Sequence, residues 1–163
     1  MIVCRVVPIG SADASALLRA YVTELVDRWH GRTMPSEVVD EVMAELGTDG
    51  LVVFLVAYRT LGPDTTAEPV GCVGLRRLGP ATGEVKRMYV RPAVRRLGVG
   101  RSLLETLERH ARCHGMTELR LDTRNDLVEA HALYARQGFT EIPAYNDEPF
   151  AQRWFGKVLT RTP

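Results

Sequence analysis

The apolar positions of this chain change period repeatedly, and each change marks an element boundary. Residues 2–9 (IVCRVVPI) read as a first strand. Ser11 and Asp13 stand where a helix cap belongs. Leu17, Leu18, Tyr21, Val22, Leu25, Val26 and Trp29 then recur at helical spacing until Gly31 stops the run. Pro35 and Ser36 open a second helix with Val38, Val39, Val42, Met43 and Leu46 on one face. After the turn Thr48-Asp49-Gly50, residues 51–58 (LVVFLVAY) make a strongly apolar, central strand. A loop over 61–69 leads to a strand from Val70 to Leu78, and the spacing predicts an antiparallel hairpin. The turn Gly79 to Gly83 precedes a strand over 84–90 (EVKRMYV), which Arg91-Pro92 ends.

The second half alternates strand and helix. Val99, Leu103, Leu104, Leu107 and Ala111 form the stripe of a helix that starts near Gly100 and ends at Gly115. Residues 118–123 (ELRLDT) are a strand and 126–137 a helix. Gly138-Phe139 begins a strand that meets Pro143, and 152–159 (QRWFGKVL) is the last strand. The order is β-α-α-β-β-β-α-β-α-β-β. Early hairpins and later β-α-β units predict an α/β fold, a mixed and mostly antiparallel sheet with helices on both faces. No repeat or linker divides the chain, so one domain over 1–163 is expected.

Composition narrows the partners. Lys plus Arg is 21 and Asp plus Glu is 20, a net charge of +1. That gives no whole-molecule field for nucleic acid or an anionic membrane, and neither is expected as a partner. Cys4, Cys72 and Cys113 are odd in number and far apart, which reads as reduced thiols in a cytoplasmic protein. His110, Cys113 and His114 share a helix face but lack a fourth ligand, so no metal site is expected. Cys72, between Gly71 and Gly74, reads as a small core residue. Arg76 and Arg77 read as solvated charges at a strand end, with an acceptor-holding role as the alternative.

The stretch Met88 to Leu104, MYVRPAVRRLGVGRSLL, carries the most chemistry. A strand breaks at a proline and an Arg-rich glycine loop runs into a helix. Gly98 and Gly100 allow a close backbone approach, and the first helix amides have no internal partner. Together with the helix dipole and Arg95, Arg96 and Arg101, they suit a phosphate or pyrophosphate. The loop lacks the Gly-Lys-Ser/Thr ending of a P-loop, and Leu103 replaces the third glycine of a dinucleotide fingerprint.

With Arg95-x-x-Gly98-x-Gly100 after Met88-Tyr89-Val90, the sequence resembles the acetyl-CoA loop of the GNAT N-acetyltransferase superfamily. Ala130-His131-Ala132-Leu133-Tyr134-Ala135-Arg136-Gln137-Gly138-Phe139 is similar to that family's second hallmark, A-x-x-L-Y-x-x-x-G-F. The resemblance implies the GNAT fold and acetyl-CoA as cosubstrate. It implies that Met88, Tyr89 and Val90 supply backbone partners to the pantetheine arm and the acetyl carbonyl. Arg95, Arg96, Leu97, Gly98, Val99, Gly100, Arg101 and Ser102 would wrap the pyrophosphate, and Tyr134 would sit near the thioester sulfur. Many members carry an asparagine seven residues before this tyrosine, where this chain has Leu127; Asn125 is offset by two.

The implied reaction is acetyl transfer to a primary amine of a small molecule or peptide by direct attack. An amine must lose a proton to react, and a carboxylate suits that task. Two candidates stand, with proton loss relayed by water and no single base as the alternative. Glu84 opens the strand before the loop, and Asp122 lies twelve residues before the tyrosine, where some family members place a catalytic carboxylate. Period-2 alternation puts Asp122 on a face with Arg120, opposite Leu119, Leu121 and Thr123. Tyr134 is the candidate general acid for the leaving thiolate. The loop Pro143 to Phe150 mixes aromatic, amide and acidic groups and suits substrate contact or a plain connection. The competing function is an acyl-CoA-binding or sensing module without turnover. A homodimer is the default oligomer.

Overall fold

Pro8 lacks the N–H a strand ladder needs, so the first strand stops short of residue 9 and runs Ile2–Val6 (β1). The computed structural model describes residues 1–48, 50–62 and 65–160. Asp49 of the expected turn, and Pro63 and Asp64 of the expected loop, lie outside the described residues. Ser11 caps the first helix, Ala12–His30 (α1), by accepting from the Ala14 N–H at 3.3 Å. Gly31 ends it in the left-handed conformation, φ 67°. Then follow Ser36–Glu45 (α2), Leu51–Arg59 (β2), Glu68–Arg77 (β3), Thr82–Val90 (β4) and a 3-10 turn at Pro92–Val94. Val99–Cys113 (α3), Glu118–Thr123 (β5), Val128–Arg136 (α4), Thr140–Glu141 (β6) and Arg153–Val158 (β7) complete the order. It matches the expected succession of elements, with the short turn added.

Among the described residues the sheet runs β1-β2-β3-β4-β5-β7-β6. All neighbours are antiparallel except β4 and β5. Helix α3 lays Leu103, Leu104 and Leu107 on Leu55, Leu75, Leu119 and Leu121, all buried in one cluster. Burying each leucine is worth about 1.5–3 kcal/mol. Intrinsic propensity differences are below about 1 kcal/mol per residue, so the apolar stripe fixes this helix. On the other sheet face, α1 packs Leu17 and Leu18 against Phe54, Val56, Cys72 and Tyr89. Because β2 is covered on both faces, Val53 to Ala57 are buried without alternation.

Two irregularities position the site. The β4–β5 ladder covers only Thr82–Glu84 against Glu118–Arg120. Beyond it the two strands diverge into a wedge. In the β3–β4 ladder, Cys72 and Gly74 oppose Tyr89 and Lys86, so β4 carries one extra residue. That residue falls at the left-handed Arg87, φ 56°. A bulge bends a strand and increases its twist. Here it turns β4 away from β5, and the Arg87 guanidinium donates to the Gly47 carbonyl at 2.9 Å, which holds the unusual backbone in place.

Candidate active site

The loop before α3 forms an anion cradle. Arg96 and Gly98 both have positive φ, 67° and 82°. No side chain caps the helix N-terminus at Gly98, which leaves the first-turn amides unsatisfied. A Cβ at Gly98 would meet nothing within 4 Å, so its glycine serves the dihedral angle and leaves the approach open. Gly100 serves another purpose. A Cβ there would lie 2.8 Å from Leu133 Cδ2 and 3.3 Å from the Met88 methyl. Its glycine allows α3 to sit close on α4, a packing role the sequence did not separate from ligand approach.

A cavity of about 1160 Å³ runs from this cradle along β4. Met88, Tyr89, Val90, Arg95, Arg96, Gly98, Gly100 and Arg101 line it, as expected of the cofactor residues. Leu97, Val99, Ser102 and Tyr134 do not line it. Val99 and Tyr134 are in the core, and Leu97 points to solvent. Asn125 is absent from the wall, whereas Leu127 is part of it. Beyond Glu84 the β5-facing edge of β4 has no strand partner among the described residues, so backbone groups of 86–90 face the wedge.

Arg95 departs from the expected free positive charge. Its guanidinium donates to Glu24 Oε2 at 2.6 Å and to the Val90 carbonyl at 2.9 Å, and lies 3.6 Å from Glu129. Arg28 reaches the same two glutamates, so a ring of alternating charge ties α1 to α4 across the cavity. Arg101 is paired with Glu105 at 2.7 Å, whereas Arg96 has no ion-pair partner among the described residues.

At the other end of the wedge the sheet register sets the charges. Arg76 opposes Glu84, and Glu84 opposes Arg120, in one row on the face away from α3. One pleat further lie Lys86 and Asp122. Glu84 is fully buried, not an exposed strand-end carboxylate. Its Oε1 accepts from Arg76 at 2.7 Å and lies 3.3 Å from Lys86 Nζ. Its Oε2 has no hydrogen-bond partner. Arg76 is therefore committed to Glu84, which corrects the expectation of a solvated charge. Arg77 caps the Pro80 and His114 carbonyls at 2.9 Å each. Arg120 pairs with Glu118 at 2.9 Å rather than with Asp122. Asp122 instead accepts from Asn146 Nδ2 at 2.8 Å and stands 4.0 Å from Lys86.

Tyr134 is buried against Phe139 and Phe155, with ring centroids 5.8 and 6.2 Å away. Burial raises its phenol well above the usual value, and Tyr21 and Asp122 add to the shift. The phenol therefore stays protonated at neutral pH and is a weaker acid than an exposed tyrosine. His131 is held by the Arg124 carbonyl at 2.8 Å and by Arg153 at 3.0 Å. Cys72 is buried, as expected, and burial pushes its thiol up to about 12.

Lys86 was not singled out from the sequence, and Tyr145 and Asn146 were only as part of the loop Pro143 to Phe150. Lys86 had a local signal, since it stands two residues from Glu84 on the same strand face. The composition of that loop marked it for contact, but not which groups Tyr145 and Asn146 face, because those belong to distant strands.

The Acetyltransferase (GNAT) family model matches residues 15–139. An IAA acetyltransferase of Azospirillum brasilense is 35% identical over 118 residues, 72% of this chain and 74% of that protein. The structure of a GNAT-family acetyltransferase from Staphylococcus aureus superposes with a TM-score of 0.71 at 17% identity, covering 98% of this chain and 100% of that one. A GNAT acetyltransferase from Elizabethkingia anophelis with acetyl-CoA bound gives 0.63 at 17% identity, covering 97% and 98%. The cradle, the open strand edge and these likenesses agree: the chain belongs to the GNAT family of acetyltransferases, enzymes that use acetyl-CoA as cosubstrate.

Proposed function

We propose that the protein, acting as one domain, transfers the acetyl group to a primary amine of a small molecule or peptide by direct attack. The observation that carries this reading is the wedge between β4 and β5. It has an anion cradle at one end; Glu84, fully buried and off the cavity wall, stands at the last paired residue of β4 where the strands part, with Oε2 unbonded. The cradle fits the cosubstrate: the uncapped amides of α3, Gly98 and Arg96 would hold the pyrophosphate, and the unpaired edge of Met88 to Val90 would hold the arm. Acetyl-CoA supplies an activated thioester when bound.

The chain's own residues supply the rest. Glu84 takes the proton of the acceptor amine on Oε2, the oxygen no protein group occupies. Asp122 is the alternative base: Asn146 holds its Oδ2, and its Oδ1 accepts no protein hydrogen bond among the described residues. Backbone N–H groups at the open edge of β4 stabilise negative charge developing on the carbonyl oxygen. Tyr134 is assigned to protonate the leaving sulfur on its place in the family motif; it stands off the cavity wall, and burial holds its proton more tightly than in an exposed tyrosine. Lys86 beside Glu84 disfavours a second cation, so it favours the acceptor in its neutral, nucleophilic form.

Calorimetric titration with acetyl-CoA and CoA tests the cradle. A thiol-release screen over amino acids, polyamines, aminoglycoside-type amines and peptide amino termini tests the transfer. Binding of both nucleotides with release for one amine class is expected. No binding would overturn the cradle. Binding without release for any amine class would favour a sensing module.

A further inference from the structure

The loop from Ile142 to Gln152 crosses over the charged row, and two consecutive residues in it face the two carboxylates of the site. Asn146 donates its Nδ2 to Asp122 Oδ2 at 2.8 Å. Its Oδ1 accepts from Trp154 Nε1 at 2.8 Å. An indole N–H only donates, so the amide can have one orientation, and its NH₂ must point at Asp122. Trp154 stands directly opposite Asp122 in the β5–β7 ladder, so the sheet itself sets this span. Tyr145, the preceding residue, packs on Arg120, which stands opposite Glu84 in the ladder, and its hydroxyl is shut from solvent with no partner at full hydrogen-bond geometry. The Arg120 guanidinium stacks 5.7 Å from the Tyr145 ring.

From this we propose that Tyr145 and Asn146 form a clasp. Asn146, oriented by Trp154, anchors the loop on Asp122, and that anchor sets the Tyr145 hydroxyl beside the free oxygen of Glu84. Asp122 then works as an anchor and not as the base, and Tyr145 and Asn146 are positioning residues. The two orphaned atoms support this. A carboxylate oxygen that only accepts and a phenol that can donate are complementary, and neither has another protein partner. A small closure of the loop joins them, and the hydroxyl then takes one lone pair of Oε2 and leaves the second for the amine proton. The proposal rests on the acetyltransferase reading of the site for its kinetic half only.

The test uses the full chain with Asp122→Ala, Asp122→Asn, Asn146→Ala and Tyr145→Phe, and two readouts. The first is amide hydrogen exchange at Ile142 and Gln152, whose N–H groups bond Trp154 and Thr123 carbonyls at 2.9 and 3.0 Å and close the loop at both ends. The second is kcat and KM for an amine found in the screen. Asn146→Ala and Asp122→Ala are expected to speed exchange about ten- to hundredfold, the loss of one charge-assisted bond. Asp122→Asn keeps an acceptor for the Asn146 amide and is expected to restore most of that protection. Turnover should follow the same order, falling up to about 10²-fold when the loop is loosened, with partial recovery in Asp122→Asn. Tyr145→Phe should lower kcat more than it raises KM and leave exchange unchanged. The clasp is overturned if Asn146→Ala exchanges like the wild type. It is also overturned if Asp122→Asn is as inactive as Asp122→Ala while its loop stays protected, since the charge itself would then be needed. If exchange follows the expected order but wild-type protein releases no CoA with any amine, the clasp stands and the transferase reading fails.

Discussion

Replacing Gly71 by alanine tests how the sheet holds the cofactor strand. A Cβ there would lie 2.8 Å from the Tyr89 carbonyl oxygen, 3.2 Å from Leu103 Cδ1 and 3.3 Å from Val99 Cγ1. Ordinary contacts are 3.4–4 Å, so all three are too close. Leu103 and Val99 are buried at the centre of the α3 core, and the Tyr89 carbonyl belongs to the backbone of β4. None of the three can rotate away. Overpacking of this kind costs about 1–3 kcal/mol. For a chain of 163 residues, each kcal/mol lowers Tm by about 2–4 °C, so a fall of about 2–12 °C is expected. The displaced group is Tyr89, a wall of the cavity, so acetyl-CoA affinity should fall as well. Gly100→Ala is the comparison. Its close contacts are Leu133 Cδ2 and the Met88 methyl, the free ends of half-buried side chains that can move. Alanine also regains up to about 1 kcal/mol of helix propensity. Thermal unfolding by calorimetry reads both variants. If Gly71→Ala melts within a degree of wild type, or Gly100→Ala melts lower than it, contact with fixed backbone is not what governs these sites.

Further predictions concern the chemistry. Glu84→Gln should cut turnover about 10²–10⁴-fold, and Tyr134→Phe by a comparable factor, each with acetyl-CoA affinity by calorimetry within threefold of wild type. Unchanged kcat in either variant removes that residue from the mechanism. Arg96→Ala should weaken acetyl-CoA about tenfold or more, as expected for a lost bond to a charged group. Arg95→Ala should cost stability instead, because its guanidinium is committed to Glu24 and the Val90 carbonyl; Kd and Tm measured together separate the two. In the folded protein a thiol reagent at pH 8 should modify exposed Cys113 and spare Cys72 until denaturant is added. Burial lifts the Cys72 thiol from 9.0 to about 12, so the folded form keeps its proton where the unfolded form loses it. The associated stability is present below pH 9.0 and declines as pH rises toward about 12. Cys72→Ala should flatten the alkaline limb of a stability-against-pH curve; an unaltered limb would contradict this.

The sequence by itself determined the succession of strands and helices and the position of the anion loop. Those features depend on short-range causes. The spacing of Leu103, Leu104 and Leu107 marks α3 in the sequence although burial against the sheet stabilises it, Ser11 and Gly31 cap α1 locally, and Gly98 permits the left-handed turn. The alternation in ELRLDT likewise placed Asp122 on the outer face before any packing was known. Tertiary structure decided what those residues do. Glu84 looked like a strand-end carboxylate, but register with β3 and β5 buries it between Arg76 and Arg120. Arg95 looked like a phosphate ligand, but α1 brings Glu24 from 71 residues away to take it. Asn146 meets Asp122 across 24 residues and Trp154 across eight, and only the β5–β7 ladder brings them together. Local periodicity specifies which face a side chain takes. The charge opposite it is set by strand pairing and loop closure, which depend on the whole chain.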